Sequence, residues 1–154
     1  MRKRMVSLLL CVLMLAGLLP TTAMAANDTM AFILGVQLEE GYYSTKGDNT
    51  RDDGTVIEGT DIDMESRSDT APEGRNNYLH YQDGVLTVFG KVYIFASHYD
   101  GMSAALSVTS GTLTVKGSGS LRLYGSGVPA LRVSSSAAIN FDLTPNGSDM
   151  QLGI

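Results

Sequence analysis

The chain has 154 residues, 44% of them hydrophobic, with a single cysteine, no tryptophan and a formal net charge of −5. A chain of this length suits one domain. One cysteine excludes a disulfide framework and a cysteine metal site. The acidic balance argues against nucleic acid, because binding to it relies on phosphate neutralisation by Lys and Arg.

Residues 1–25 carry the pattern of a secretory signal peptide. Arg2, Lys3 and Arg4 form a positive start, residues 5–19 are apolar apart from Ser7 and Gly17, and Ala23-Met-Ala25 supplies a small-residue cleavage site. The apolar run of about 15 residues is short for a span that needs ~20. The expected product is therefore secreted or cell wall-associated, with no membrane span after signal cleavage. Cys11 lies inside the apolar run as filler, so the exported chain has no cysteine. Losing three of 11 cations leaves 8 against 16 acids, a net charge of about −8.

Residues 26–83 read as an N-terminal cap with loops. Eleven of the 16 acids fall from Glu39 to Glu73, in a stretch where apolar residues are isolated. Three pieces look extended: 31–38, 55–57 and 78–81. An irregular, acidic segment of this kind would cover the open end of a repeat fold and discourage edge-to-edge pairing.

From residue 84 a repeat sets the pattern. Gly84-Val-Leu-Thr-Val88 returns as Gly111-Thr-Leu-Thr-Val115, Val92-Tyr-Ile94 as Leu121-Arg-Leu123, and Ala105-Leu-Ser-Val108 as Ala130-Leu-Arg-Val133. Strand-like segments recurring at this period without intervening helix predict stacked β-coils. The expected fold is all-β: a right-handed parallel β-helix, or solenoid, of about two and a half coils of three short strands over residues 84–154, capped by the N-terminal segment. Alternation places Leu86, Val88, Val92, Ile94, Leu106 and Val108 inside, with Leu113, Val115, Leu123 and Leu131 stacked on their counterparts at about 4.8 Å. Gly90, Asp100-Gly101, and the runs 117–120, 125–127 and 134–136 mark corners. A third coil starts at Ala138-Ile-Asn-Phe141, turns at Pro145-Asn-Gly147 and ends in the strand-like Met150-Gln-Leu152. This unfinished end is expected to be open or truncated, and completed by further domains of a longer chain or by self-association.

On the residues Gly35-Val-Gln-Leu38 with Gly41-Tyr-Tyr43, Tyr81-Gln-Asp-Gly-Val-Leu-Thr-Val88 and the run from Gly111 to Leu123, the chain resembles right-handed parallel β-helix surface proteins of Gram-positive bacteria of the carbohydrate-binding-domain type. That resemblance implies export, a β-helix and binding of acidic or plant-type polysaccharides, sometimes with calcium. This chain departs from the pattern in having few carboxylates within the coils.

The candidate binding residues are Tyr93, Phe95, Arg122 and Tyr124, the outward positions of the second strand in each coil, with Gln151 continuing the Tyr93 column. Aromatic faces can lie against sugar rings, and a guanidinium fork suits the carboxylate of an acidic sugar. The same residue types also favour exposed strands simply by propensity and cross-strand packing.

No enzyme activity is expected. Among the coil acids, Asp83 and Asp100 precede corner glycines, Asp149 lies at a turn and Asp142 has no acidic partner in register, which leaves no carboxylate pair for acid–base chemistry. His80 and His98 read as isolated. The acids Asp48, Asp52 and Asp53 before Gly54 invite a calcium loop, but Arg51 takes a ligand position and Thr60 stands where a bidentate Glu belongs. No cofactor or metal follows from this spacing. Two functions remain open: a non-catalytic binder of acidic glycans, or a structural or adhesive stalk without a ligand of its own.

Overall fold

The computed structural model describes residues 28–142 and 151–152. The leader, Cys11 and the turn at residues 145–147 lie outside the described residues. The elements are strands β1 (Met30–Ile33), β2 (Val36–Gln37), β3 (Gly41–Ser44), β4 (Asn49–Thr50), β5 (Val56–Ile57), β6 (Tyr78–Gln82), β7 (Val85–Phe89), β8 (Lys91–Ser97), β9 (Leu106–Gly117), β10 (Ser120–Ser126), β11 (Leu131–Val133), β12 (Ala137–Asp142) and β13 (Gln151–Leu152). A single 3₁₀ turn, His98–Asp100, follows β8 among the described residues.

The chain is all-β, but a right-handed parallel β-helix with an irregular cap is not its architecture. The largest sheet is mixed, runs in the order β2-β1-β9-β7-β6-β3, takes β11 and β12 as further partners of β9, and curls on itself. Four of its junctions are antiparallel: β1–β2, β1–β9, β3–β6 and β6–β7. Strands β1, β2, β3 and β6 are thus part of the sheet, β4 and β5 pair with each other in a small sheet of their own, and residues 30–82 supply Ile33, Leu38, Tyr43, Leu79 and Tyr81 to the core.

Local turn chemistry explains the antiparallel joins. Asp83 (φ 49°) and Gly84 (φ 74°) form a two-residue turn with both residues left-handed, the geometry whose twist matches a hairpin. It folds β6 back onto β7, with Gln82 opposite Val85 and Leu79 opposite Val88. Leu34 (φ 53°) and Gly35 (φ 79°) do the same between β1 and β2.

Parallel pairing occurs where the repeated segments meet. β8 lies on β10 with Val92 opposite Leu121 and Ile94 opposite Leu123, and β9 takes β11 with Leu106 opposite Leu131. Between β7 and β9 the register departs from the expected one: Leu86 faces Val115, not Leu113, and Val88 faces Gly117, not Val115. A slip of two residues keeps the same side chains inward, since strand faces alternate with period two. The slip brings Gly117 against β7 where a Cβ would sit 2.1 Å from the Val88 carbonyl oxygen, so a larger residue cannot occupy it.

β9 turns a corner at Gly111 (φ 69°), where Thr29 presses against it. The Thr29 hydroxyl donates to the Thr112 carbonyl at 3.0 Å and accepts from the Thr112 N–H at 3.2 Å. Before the corner β9 carries β1 and β11; after it, β7 and β12. Gly90 (φ 62°) makes the corner that sends β8 out of this sheet and into a second one, ordered β13-β10-β8. The inner faces of both sheets meet in one core that includes Leu86, Val92, Ile94, Leu106, Leu113, Leu121 and Leu123.

Candidate functional site

β8 alternates strictly enough to separate its two faces. Val92, Ile94 and Ala96 are buried, while Lys91, Tyr93 and Phe95 turn outward. In β10, Leu121 and Leu123 are buried and Ser120, Arg122 and Tyr124 turn outward. The parallel register sets Tyr93 beside Arg122 and Phe95 beside Tyr124, so the four residues singled out in the sequence share one face. Phe95 is 56% exposed and Tyr124 38%, and neither lies under the N-terminal strands. Gln151 pairs with Arg122 on the far side, continuing the backbone row.

The Arg122 guanidinium carbon stands 5.1 Å from the centre of the Tyr93 ring, a cation–π distance. Its Nε–H is shielded from solvent and meets no hydrogen-bond partner among the described residues. The side-on grip that uses Nε is thereby closed, and the two terminal nitrogens are left to take an anion end-on.

A residue not singled out in the sequence completes this row. Segment 60–62 runs parallel beside β8: the Tyr93 N–H donates to the Thr60 carbonyl at 2.7 Å, and the Ile62 N–H donates to the Tyr93 carbonyl at 3.0 Å. Ile62 is buried, so exposed Asp61, paired with Tyr93, turns outward. Across adjacent strands the face therefore reads Asp61, Tyr93, Arg122: an acceptor, an apolar ring and a cation. Nothing in the spacing of Asp61 and Tyr93 along the chain marks them as neighbours.

A second outward aromatic group lies on the large sheet. Tyr42 of β3 stacks on His80 of β6 with ring centres 4.2 Å apart and planes at 16°. Tyr78 of β6 stacks on Phe89 of β7 at 4.4 Å and 17°, and Tyr42 reaches Tyr78 at 6.1 Å. His80 is thus a member of a ring cluster and not an isolated histidine. The available signal was alternation: Tyr42, Tyr78, His80 and Phe89 each neighbour an inward residue in their strands, namely Tyr43, Leu79, Tyr81 and Val88. Beside the rings lies an open cleft of about 370 Å³ whose walls include Glu40, Tyr42, Arg67, Asp69, His80 and Gln82. A neighbouring hollow of about 340 Å³ shares His80 and Gln82 and reaches Thr87 and Lys116.

Gly41 allows that first cleft to form. At φ 141° it lets the Ser68 carbonyl come within 2.8 Å of where a Cβ would be. Tyr42 and Ser68 then exchange backbone hydrogen bonds at 2.8 and 2.9 Å, which brings Arg67 and Asp69 to the rim. Arg67 is engaged by Asp69 at 3.1 Å and by Glu39 at 3.5 Å.

Two of the acids near Gly54, Asp48 and Asp53, are engaged by the chain itself. The Asp53 carboxylate accepts from the Thr55 N–H at 2.9 Å, and this hydrogen bond holds its pKa below the ordinary carboxylate value. Asp48 pairs with Arg75 at 2.6 Å and accepts from the Gly59 N–H. Among the described residues, no three His, Cys, Asp or Glu side chains gather around a common point suited to a metal ion. His98 lies in the 3₁₀ turn after β8, with Nδ1 3.4 Å from the Ser126 carbonyl and its ring against that of Tyr99.

Comparison with known proteins finds no matching family model, no matching curated protein and no matching solved structure, so a functional reading must rest on the geometry of these two faces.

Proposed function

We propose that this protein is a non-catalytic glycan-binding module that acts outside the cell, with acidic polysaccharide as its ligand. The observation that supports the reading most is the outward face of β8 and β10, where Tyr93, Phe95, Arg122 and Tyr124 lie in register. A pyranose ring can rest its C–H face on Phe95 and Tyr124 while its hydroxyls meet polar edges. Arg122 supplies positive charge through its terminal nitrogens, and Asp61 offers an acceptor for a sugar hydroxyl. Export rests on the leader pattern of residues 1–25. Exposed aromatic patches are a recurrent mark of interaction surfaces, which favours a binding role over a purely structural one.

The test is titration of the mature protein and its variants against pectate, xylan and a neutral glucan. Tyr124→Ala and Phe95→Ala should each weaken binding by about 0.5–1.5 kcal/mol, on the scale of the excess worth of an aromatic contact. Both side chains are exposed, so the fold should persist in circular dichroism. Arg122→Ala should reduce affinity for pectate more than for the neutral glucan, because only the uronic acid presents a carboxylate. If the wild-type protein binds none of the three polymers, the glycan reading fails.

A further inference from the structure

We infer that the cleft beside the Tyr42–His80 stack is a second saccharide site, distinct from the β8–β10 face and suited to neutral sugar units. The inference rests on the glycan reading of the chain, but on none of the same residues. A ring stack forms one wall, with the planes of Tyr42 and His80 nearly parallel at 16°. Polar groups able to pair with sugar hydroxyls form the rest: the Glu40 carboxylate, the Gln82 amide and the Arg67–Asp69 pair. The opening of about 370 Å³ falls in the range of small-molecule sites, which run from about 300 Å³ upward.

Charge distinguishes the two faces. In this cleft Arg67 is already held by Glu39 and Asp69, while Glu40 joins none of the ion pairs among the described residues. The cleft therefore carries an excess of acceptors and repels a uronate carboxylate. A neutral pyranose satisfies those acceptors through its own O–H donors at no charge cost. On the β8–β10 face the cation Arg122 stands over the Tyr93 ring, in register between Tyr93 and Gln151. The sheets bearing the two faces join at the Gly90 corner and share one core, so a ligand on one face leaves the other open.

The experiment is a ¹H–¹⁵N titration of the mature chain with two probes, cellohexaose and a galacturonate oligomer. Cellohexaose should shift the amides of Tyr42, His80 and Gln82, and the galacturonate oligomer those of Tyr93, Arg122 and Tyr124. Glu40→Ala and His80→Ala should each weaken cellohexaose about threefold to tenfold, while leaving the galacturonate oligomer at wild-type affinity. Glu40 lies on the rim and outside the core, so loss of binding in that variant reports the site and not unfolding. Galacturonate binding at Tyr93 and Tyr124 with no cellohexaose shifts near His80 would overturn the second site and leave the proposed function standing. Cellohexaose shifts near His80 without any response at Tyr93 would uphold the second site and remove the first. Silence with both probes would overturn both.

Discussion

Tyr43 is the largest fully buried side chain in the core, and its phenol is wired to the turn before it. The hydroxyl donates to the Glu39 carbonyl and accepts from the Glu39 N–H, both at 2.8 Å. Burial pushes its pKa above the ordinary 10.0, against the lowering effects of the Glu39 hydrogen bond and the nearby Arg67 charge. The folded chain thus keeps this proton at a pH where the unfolded chain has released it. Stability from this group is intact below pH 10.0 and falls as pH rises toward the elevated folded value. Tyr43→Phe removes both hydrogen bonds and the titration. At neutral pH the variant should be less stable by roughly 1–3 kcal/mol, because the Glu39 N–H loses its partner. The gap between wild type and variant in urea midpoint should narrow as pH rises above 10.0. A gap independent of pH would mean that the phenol does not hold its proton on folding.

Between β3 and β6, the order of a long connection depends on a few carboxylates, and this is where a segment without much regular structure places Asp61 beside Tyr93. The Glu58 carboxylate accepts from the Asn76 N–H at 2.8 Å, the Asn77 N–H at 2.7 Å and the Asn76 side-chain amide at 3.1 Å. Asn77 passes the link onward, donating to the Gly59 carbonyl at 3.0 Å and accepting from the Lys91 N–H at 2.8 Å. The start of β8 and segment 59–62 are thereby tied together, which sets Asp61 beside Tyr93. Glu58→Ala should cost roughly 1 kcal/mol, because the part-buried Asn77 N–H loses its charged acceptor while the exposed Asn76 N–H turns to water. Hydrogen exchange should quicken at Asn76, Asn77 and Ile62 first, while β10 amides keep their protection. Uniform loss of protection would show that the connection is not held locally. The acidic composition of this segment was plain from the sequence, but its partners were not, because Glu58 and Asn77 meet only after the chain has folded back. The hairpin at Asp83-Gly84 was legible in principle, since Asp-Gly between alternating runs is a strong hairpin signal. Gly84 also opens the repeated Gly-x-Leu-Thr-Val motif, and that second role concealed the first.

The large mixed sheet and the β13-β10-β8 sheet share one core cluster, so the two should unfold as a unit although their strands come from distant parts of the chain. Leu123 is fully buried at the centre of β10, opposite Ile94 on one side and Leu152 on the other. Leu123→Ala should cost about 2–5 kcal/mol, the usual range for a buried leucine. Far-ultraviolet circular dichroism and tyrosine fluorescence should report the same lowered midpoint, since tyrosines of the large sheet line the common core. Separated transitions would show that the sheets melt independently. No helix among the described residues is long and apolar enough to cross a membrane. From residue 84 onward, period-two alternation by itself determined that the segments are strands and which of their side chains face inward; the inward Ile33, Tyr43, Leu79 and Tyr81 of the earlier strands were not marked by it. It also determined that Tyr93, Phe95, Arg122 and Tyr124 face outward. The matched spacing of similar segments was enough to align β8 with β10, because equivalent residues there face each other without a slip. Only the tertiary structure decided that β6 and β1 return antiparallel, that β7 slips by two residues on β9, and that Asp61 and the Tyr42–His80 stack come to the surface beside clefts and rings. Alternation is a property of each strand alone. Direction and partner are settled by turns of a particular hand and by close approaches, at Gly111 and Gly117, between segments that the sequence keeps far apart.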